Sequence, residues 1–190
     1  LLTGTDNVAI GRLAFSASTD GADNIAIGRS ALAVSGNDAD CNIAIGLSAL
    51  GGADVSGLAN IAIGALAGDA ITTGICNVAI GVNALGASTT GCKNIAIGEL
   101  ALGAAVTTGN DNVAIGTSAM DAATSAAQNV AIGLNALGAS TATNYSVAIG
   151  HTAMGGADTT GIDNIAIGRN SADALTSGIC NIAIGKDALG

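Results

Sequence analysis

Residues 77–98 read Asn77-Val78-Ala79-Ile80-Gly81-Val82-Asn83-Ala84-Leu85-Gly86-Ala87-Ser88-Thr89-Thr90-Gly91-Cys92-Lys93-Asn94-Ile95-Ala96-Ile97-Gly98. The stretch opens and closes on one pentapeptide, Asn-(Val/Ile)-Ala-Ile-Gly. That motif recurs eleven times in the 190 residues, at intervals of 17 or 18. Its closing glycines run from Gly11 to Gly185, and a single copy replaces the asparagine, with Ser146. A fixed period of this length marks a solenoid, in which each repeat is one unit that only a neighbour can cover. The expected fold is all-β: a parallel β-solenoid of about eleven 17–18-residue coils, forming one repeat domain over residues 1–190.

The composition fits a stack of small side chains. There is no proline, Phe15 and Tyr145 are the only aromatics, and 29 residues are glycine. A lone coil buries about three sizeable apolar side chains, worth roughly 1.5–3 kcal/mol each. Ordering its backbone costs roughly 1–2 kcal/mol per residue. Only stacking, with strand hydrogen bonds and buried faces on both sides, reverses that balance. Eleven coils at about 4.8 Å per strand give a rod about 50 Å long.

Successive strand residues point to opposite faces. The motif therefore has a β-branched face, such as Ile25 and Ile27, and an Asn-Ala-Gly face. β-branched residues suit a half-buried pleated surface, so the Ile/Val face is expected to point into the coil. Four residues after the glycine lies a second apolar position: Phe15, Leu32, Leu50, Leu85, Leu102, Met120, Leu137, Met154 and Leu189, with Gly68 and Ala172 as exceptions. It is expected to close the core from the opposite side. The extra residue of the 18-residue coils falls just before a Thr/Ser turn.

The motif alanine never varies: Ala9, Ala26, Ala44, Ala62, Ala79, Ala96, Ala114, Ala131, Ala148, Ala166 and Ala183. A face of small residues lets another backbone approach closely. The expectation is that this alanine face is a chain–chain interface, with unshed duplication identity as the plainer explanation. A second row, Thr19 and then Thr72, Thr89, Thr107, Thr124, Thr141, Thr159 and Thr176, reads as turn residues bonding local backbone. A flat threonine row could instead order water and bind ice.

Chemistry is scarce. An enzyme needs one place unlike the rest, and the single histidine, His151, stands at a variable position without a catalytic partner. No enzymatic activity is expected. The net charge is −9, and five basic residues are scattered along the chain. That leaves no basic stripe for nucleic acid, and no 18-residue apolar run exists to span a membrane. No cofactor is expected. Calcium is the one ion left open, because turns such as Gly109-Asn110-Asp111-Asn112 carry oxygen ligands, although the nonapeptide period of calcium-binding rolls is missing. Of the four cysteines, Cys41, Cys76 and Cys180 share one slot. Only Cys76 and Cys92 lie in adjacent coils, which makes them the one possible disulfide.

The strings NIAIGLSALGG (42–52) and NVAIGVNALGASTTG (77–91), with SVAIG at 146–150, resemble the head repeats of trimeric autotransporter adhesins. They are also similar to the N-T-A-I-G-type repeats of phage tail-fibre and bacterial surface-fibre proteins. The resemblance covers nearly the whole chain. It implies a left-handed roll, assembly of the chain with itself as a trimer or filament, and a place at the cell surface or on a virion fibre. Host or environmental surfaces would be the outside partner. The chain opens and closes inside a repeat, which suggests a segment of a longer array or a filament subunit. The expected function is thus a structural fibre or adhesin-stalk segment, assembling through the Asn-Ala-Gly face or through uncapped end coils. A phage tail-fibre shaft and an ice-binding protein are the alternatives.

Overall fold

The computed structural model describes residues 3–35 and 39–190. Eleven three-residue strands carry the motif: β1 (Val8–Ile10), β2 (Ile25–Ile27), β3 (Ile43–Ile45), β4 (Ile61–Ile63), β5 (Val78–Ile80), β6 (Ile95–Ile97), β7 (Val113–Ile115), β8 (Val130–Ile132), β9 (Val147–Ile149), β10 (Ile165–Ile167) and β11 (Ile182–Ile184). They form one parallel sheet in chain order. The register is constant, as in Ile95↔Val113, Ala96↔Ala114 and Ile97↔Ile115. The fold is a parallel β-solenoid, and no helix occurs among the described residues.

Each strand ends at its glycine because the backbone there takes a conformation closed to other residues. Gly98 has φ +132°, and a Cβ on it would lie 2.6 Å from the Gly116 carbonyl oxygen of the next coil. Beyond the glycine the chain turns by left-handed residues that are not glycine. In the coil after Gly98 these are Leu100 (φ 57°) and Leu102 (φ 49°), and Lys93 (φ 57°) precedes the motif asparagine. The pattern repeats in every coil, with Gly68 (φ 59°) the one glycine that takes such a position. Left-handed geometry costs an L-residue roughly 1–2 kcal/mol. It is offset because it aims each N–H along the stack. Leu100 N–H donates backward to Val82 O and Leu102 N–H donates forward to Ala119 O, both at 3.0 Å.

The core reverses the expected faces. The motif alanines from Ala26 to Ala183 are at most 3% exposed, whereas the flanking Ile and Val side chains are half-buried or exposed on the outside. The reason is space. A Cβ added at Gly68, which holds the second apolar position of its coil, would lie 3.7 Å from Ala62 Cβ. The leucine or methionine row therefore presses directly on the strand, and only a methyl group fits opposite it. The inward column is alanine, with Leu32, Leu50, Leu85, Leu102, Met120, Leu137 and Met154 fully buried against it.

The two exceptions in the leucine row are filled from three residues later. Ile71 is buried beside Gly68. Leu175, three after Ala172, packs on the same core. Other coils place Ser18, Ser88, Ala123 or Ser140 at that position.

The motif asparagines form the second buried column. Asn112 N–H and Nδ2 both donate to Asn94 Oδ1 at 3.0 Å, and Nδ2 also donates to Ala126 O at 2.8 Å. Such bonds recur along the stack, and no buried side-chain nitrogen or oxygen lacks a partner among the described residues. Ser146 is too short to reach the carbonyl that an asparagine would. Thr143 substitutes, its hydroxyl donating to Gly161 O at 2.7 Å and lying 3.3 Å from Ser146 Oγ.

Candidate functional site

The expected interface residues do not lie on a surface. Ala26, Ala44, Ala62, Ala79, Ala96, Ala114, Ala131, Ala148, Ala166 and Ala183 are buried in the coil they belong to, and Ala9 alone is exposed, in β1. The alanine invariance is therefore a packing requirement within the chain. The Asn-Ala-Gly face cannot serve as a contact between chains.

The exposed sheet face is the β-branched one. Two columns of Ile and Val run along it. In the interior strands their exposures reach 36–37% at Ile63, Ile95, Ile132 and Ile167, and the end strands rise to 70% at Ile182. No charged residue occurs within any strand. Eleven strands at about 4.8 Å, each three residues of about 3.3 Å, cover a plane of roughly 500 Å². That lies at the upper end of the apolar patches that monomeric proteins expose, which run to roughly 300–600 Å². Leu47, Val82 and Leu134, just after their glycines, widen it along one edge.

Other expected features are dispersed. The threonine row breaks at the 18-residue coils that carry Val55, Thr107 and Thr159. Thr107 and Thr159 turn into the core, and Val55 fills the same slot. The following residue then takes the outer place: Ser56 N–H donates to Thr72 O, Thr108 N–H to Thr124 O and Thr160 N–H to Thr176 O. The result is three short runs, and hydroxyls such as Thr72 Oγ1 and Thr124 Oγ1 donate to the adjoining coil's carbonyls at 3.1 and 3.2 Å. This is the local turn bonding expected of threonine, with a register the sequence did not reveal.

Cys76 and Cys92 are free thiols, as are Cys41 and Cys180. Cys92 sits one residue earlier in its coil than Cys76. Its sulfur accepts from Ile75 N–H at 3.5 Å and donates to Thr90 O at 3.4 Å. Lys93, not Cys92, occupies the slot next to Cys76, so the one possible disulfide does not form. His151 is exposed, with Nδ1 2.9 Å from Thr152 Oγ1. No three His, Cys, Asp or Glu residues lie close enough to hold a metal ion among the described residues. In the Gly109–Asn112 turn, Asn110 Oδ1 already accepts from Cys92 N–H at 2.7 Å. No pocket exists among the described residues.

Three carboxyls are perturbed: hydrogen bonds from Lys186 and Asn170 lower exposed Asp187, and two others are raised. Partial burial raises Asp69, against a smaller lowering by a backbone hydrogen bond. Burial also raises Asp121, against hydrogen bonds from Ser118 and backbone. A raised folded-state value means that the fold disfavours the charged form. The cost is present at neutral pH and disappears as pH falls through the folded value toward the unfolded one. Asp69→Asn should therefore raise the melting temperature slightly at pH 7. The gap to wild type should close on acidification into the carboxyl range, as followed by circular dichroism melts across pH.

No family model, curated protein or solved structure matches the chain.

Proposed function

We propose that this chain is a structural segment of an extracellular fibre or filament, and that it associates with copies of itself through the outward Ile/Val face. The single observation behind this reading is that face: continuous over eleven strands, uncharged, and made of side chains that burial would favour by roughly 25 cal/mol per Å². The uniformity of the stack supports the same reading, because it repeats one contact rather than building one site. A place at the cell surface or on a virion fibre follows from the repeat resemblance. Ice binding through threonine has less support, since the row is broken and its hydroxyls are engaged with backbone.

Sedimentation analysis tests the proposal. Wild type should sediment as an oligomer at tens of micromolar. Ile97→Lys combined with Ile115→Lys should shift it to the monomer mass while leaving its β circular dichroism intact. A wild type that stays monomeric at high concentration overturns the reading.

A further inference from the structure

Two exposed rows border the Ile/Val face, one on each edge. On one edge stands the residue just after the motif glycine. These residues stack in register, since Ser30 N–H donates to Arg12 O and Ser48 N–H to Arg29 O, both at 2.9 Å. On the other edge stands the residue just before the motif asparagine. This row stacks in the same way, with Asp23 N–H donating to Thr5 O and Lys93 N–H to Ile75 O.

In four coils the two rows carry opposite charges, whereas in the seventh Asp111 stands opposite the uncharged Thr117. Asp6 is followed six residues later by Arg12, Asp23 by Arg29, and Asp163 by Arg169. In the sixth coil both signs reverse, with Lys93 on the acidic edge and Glu99 on the basic one. All eight side chains are exposed. None of these pairs closes within the chain, because the one ion pair among the described residues is Lys186–Asp187 at 3.2 Å. Lys186 is also the basic residue whose opposite position, Cys180, carries no acid. Complementarity across a face that the chain itself does not bridge points to a partner carrying the same two rows.

Building on the face proposed above, we infer that the partner is a second copy lying parallel and in register, with the acidic edge of each coil beside the basic edge of the same coil in its neighbour. Symmetry makes the choice. Rotation about an axis parallel to the stack brings opposite edges of equal coils together, so Asp23 meets Arg29 and Lys93 meets Glu99. A two-fold axis across the stack turns one copy antiparallel. It sets acidic edge against acidic edge and the first coil against the eleventh. Slippage by one coil leaves Lys93 beside Val82 or Thr117, so the reversed sixth coil fixes the register. Like charges held together at an interface select against wrong arrangements.

Disulfide trapping between two proteins tests this. One retains only Cys76, with Cys41, Cys92 and Cys180 changed to Ser. The other has all four cysteines changed to Ser and carries Val82→Cys, on the opposite edge of the same coil. Both must match wild type in mass by light scattering. Mixed dilute, concentrated and mildly oxidised, the pair should give a covalent dimer that neither protein forms alone. In parallel, Lys93→Glu should weaken association about five-fold at low salt, and adding Glu99→Lys should restore it. Cross-linking by the Cys76 protein alone, or an oligomer that neither traps in the mixture nor responds to Lys93→Glu, overturns the parallel arrangement while leaving the face intact. A wild type that is monomeric overturns both.

Discussion

Ala96→Glu should unfold the middle of the stack. Ala96 is fully buried in β6, between Ala79 and Ala114 in the neighbouring strands. Enlarging a packed core position costs about 1–3 kcal/mol. An unpaired carboxylate in that place adds several more, so the loss should exceed about 4 kcal/mol. In a solenoid the damage reaches the nearest neighbours, because each coil draws its stability from the two beside it. Urea unfolding followed by circular dichroism should show a midpoint shifted far down, or a first transition covering part of the stack. Ile97→Glu, one residue away on the outward face, is the matching control. It should leave the monomer's midpoint nearly unchanged. A wild-type midpoint for Ala96→Glu would mean that alanine faces solvent and that the core assignment is wrong.

That contrast also marks how far the sequence could be read. The period, the strands and the terminating glycines were all legible in residues 77–98, because a fixed interval and a β-branched triplet leave little alternative. Alternation separates the two faces of a strand but does not say which one is inside. β-branched residues normally go inward when the opposing layer leaves room for them. Here Leu102 and its equivalents press against the strand, and the space fits a methyl group. The leucine row was visible in the sequence, but its distance from the strand was not. The left-handed residues were hidden for another reason. Leu100 and Leu102 carry no sign of positive φ, which is forced on them by hydrogen bonds to adjoining coils. The threonine register was lost because an extra residue in an 18-residue coil turns Thr107 inward instead of bulging outward. The charge rows did leave a signal, the six-residue spacing of Asp23 with Arg29 and of Lys93 with Glu99. It gains meaning once the residues between them are known to face out.

The asparagine column should prove as demanding as the alanine column. Asn112→Ala removes the acceptor of Asn129 N–H, at 3.1 Å, and the donor to Ala126 O, at 2.8 Å. Both groups lie in the buried column, where water cannot replace the lost partner. Each orphaned group costs about 1–3 kcal/mol, so the substitution should cost about 2–6 kcal/mol in all. Asn129 Nδ2 keeps its bonds to Thr143 O and Ala127 O, which limits the loss to that range. The chain contains its own test of this reasoning at Ser146. There the shorter side chain still offers its oxygen to Asn164 N–H, at 3.2 Å, and Thr143 supplies the missing donor to Gly161 O. If unsatisfied polar groups set the cost, Thr143→Gly should destabilise the protein on its own. Adding Ser146→Asn should restore the melting temperature, since Gly and Asn are the pair that other coils use. If Asn112→Ala melts like wild type, or Ser146→Asn fails to restore Thr143→Gly, the column contributes through shape alone and its hydrogen bonds do not hold the coils together.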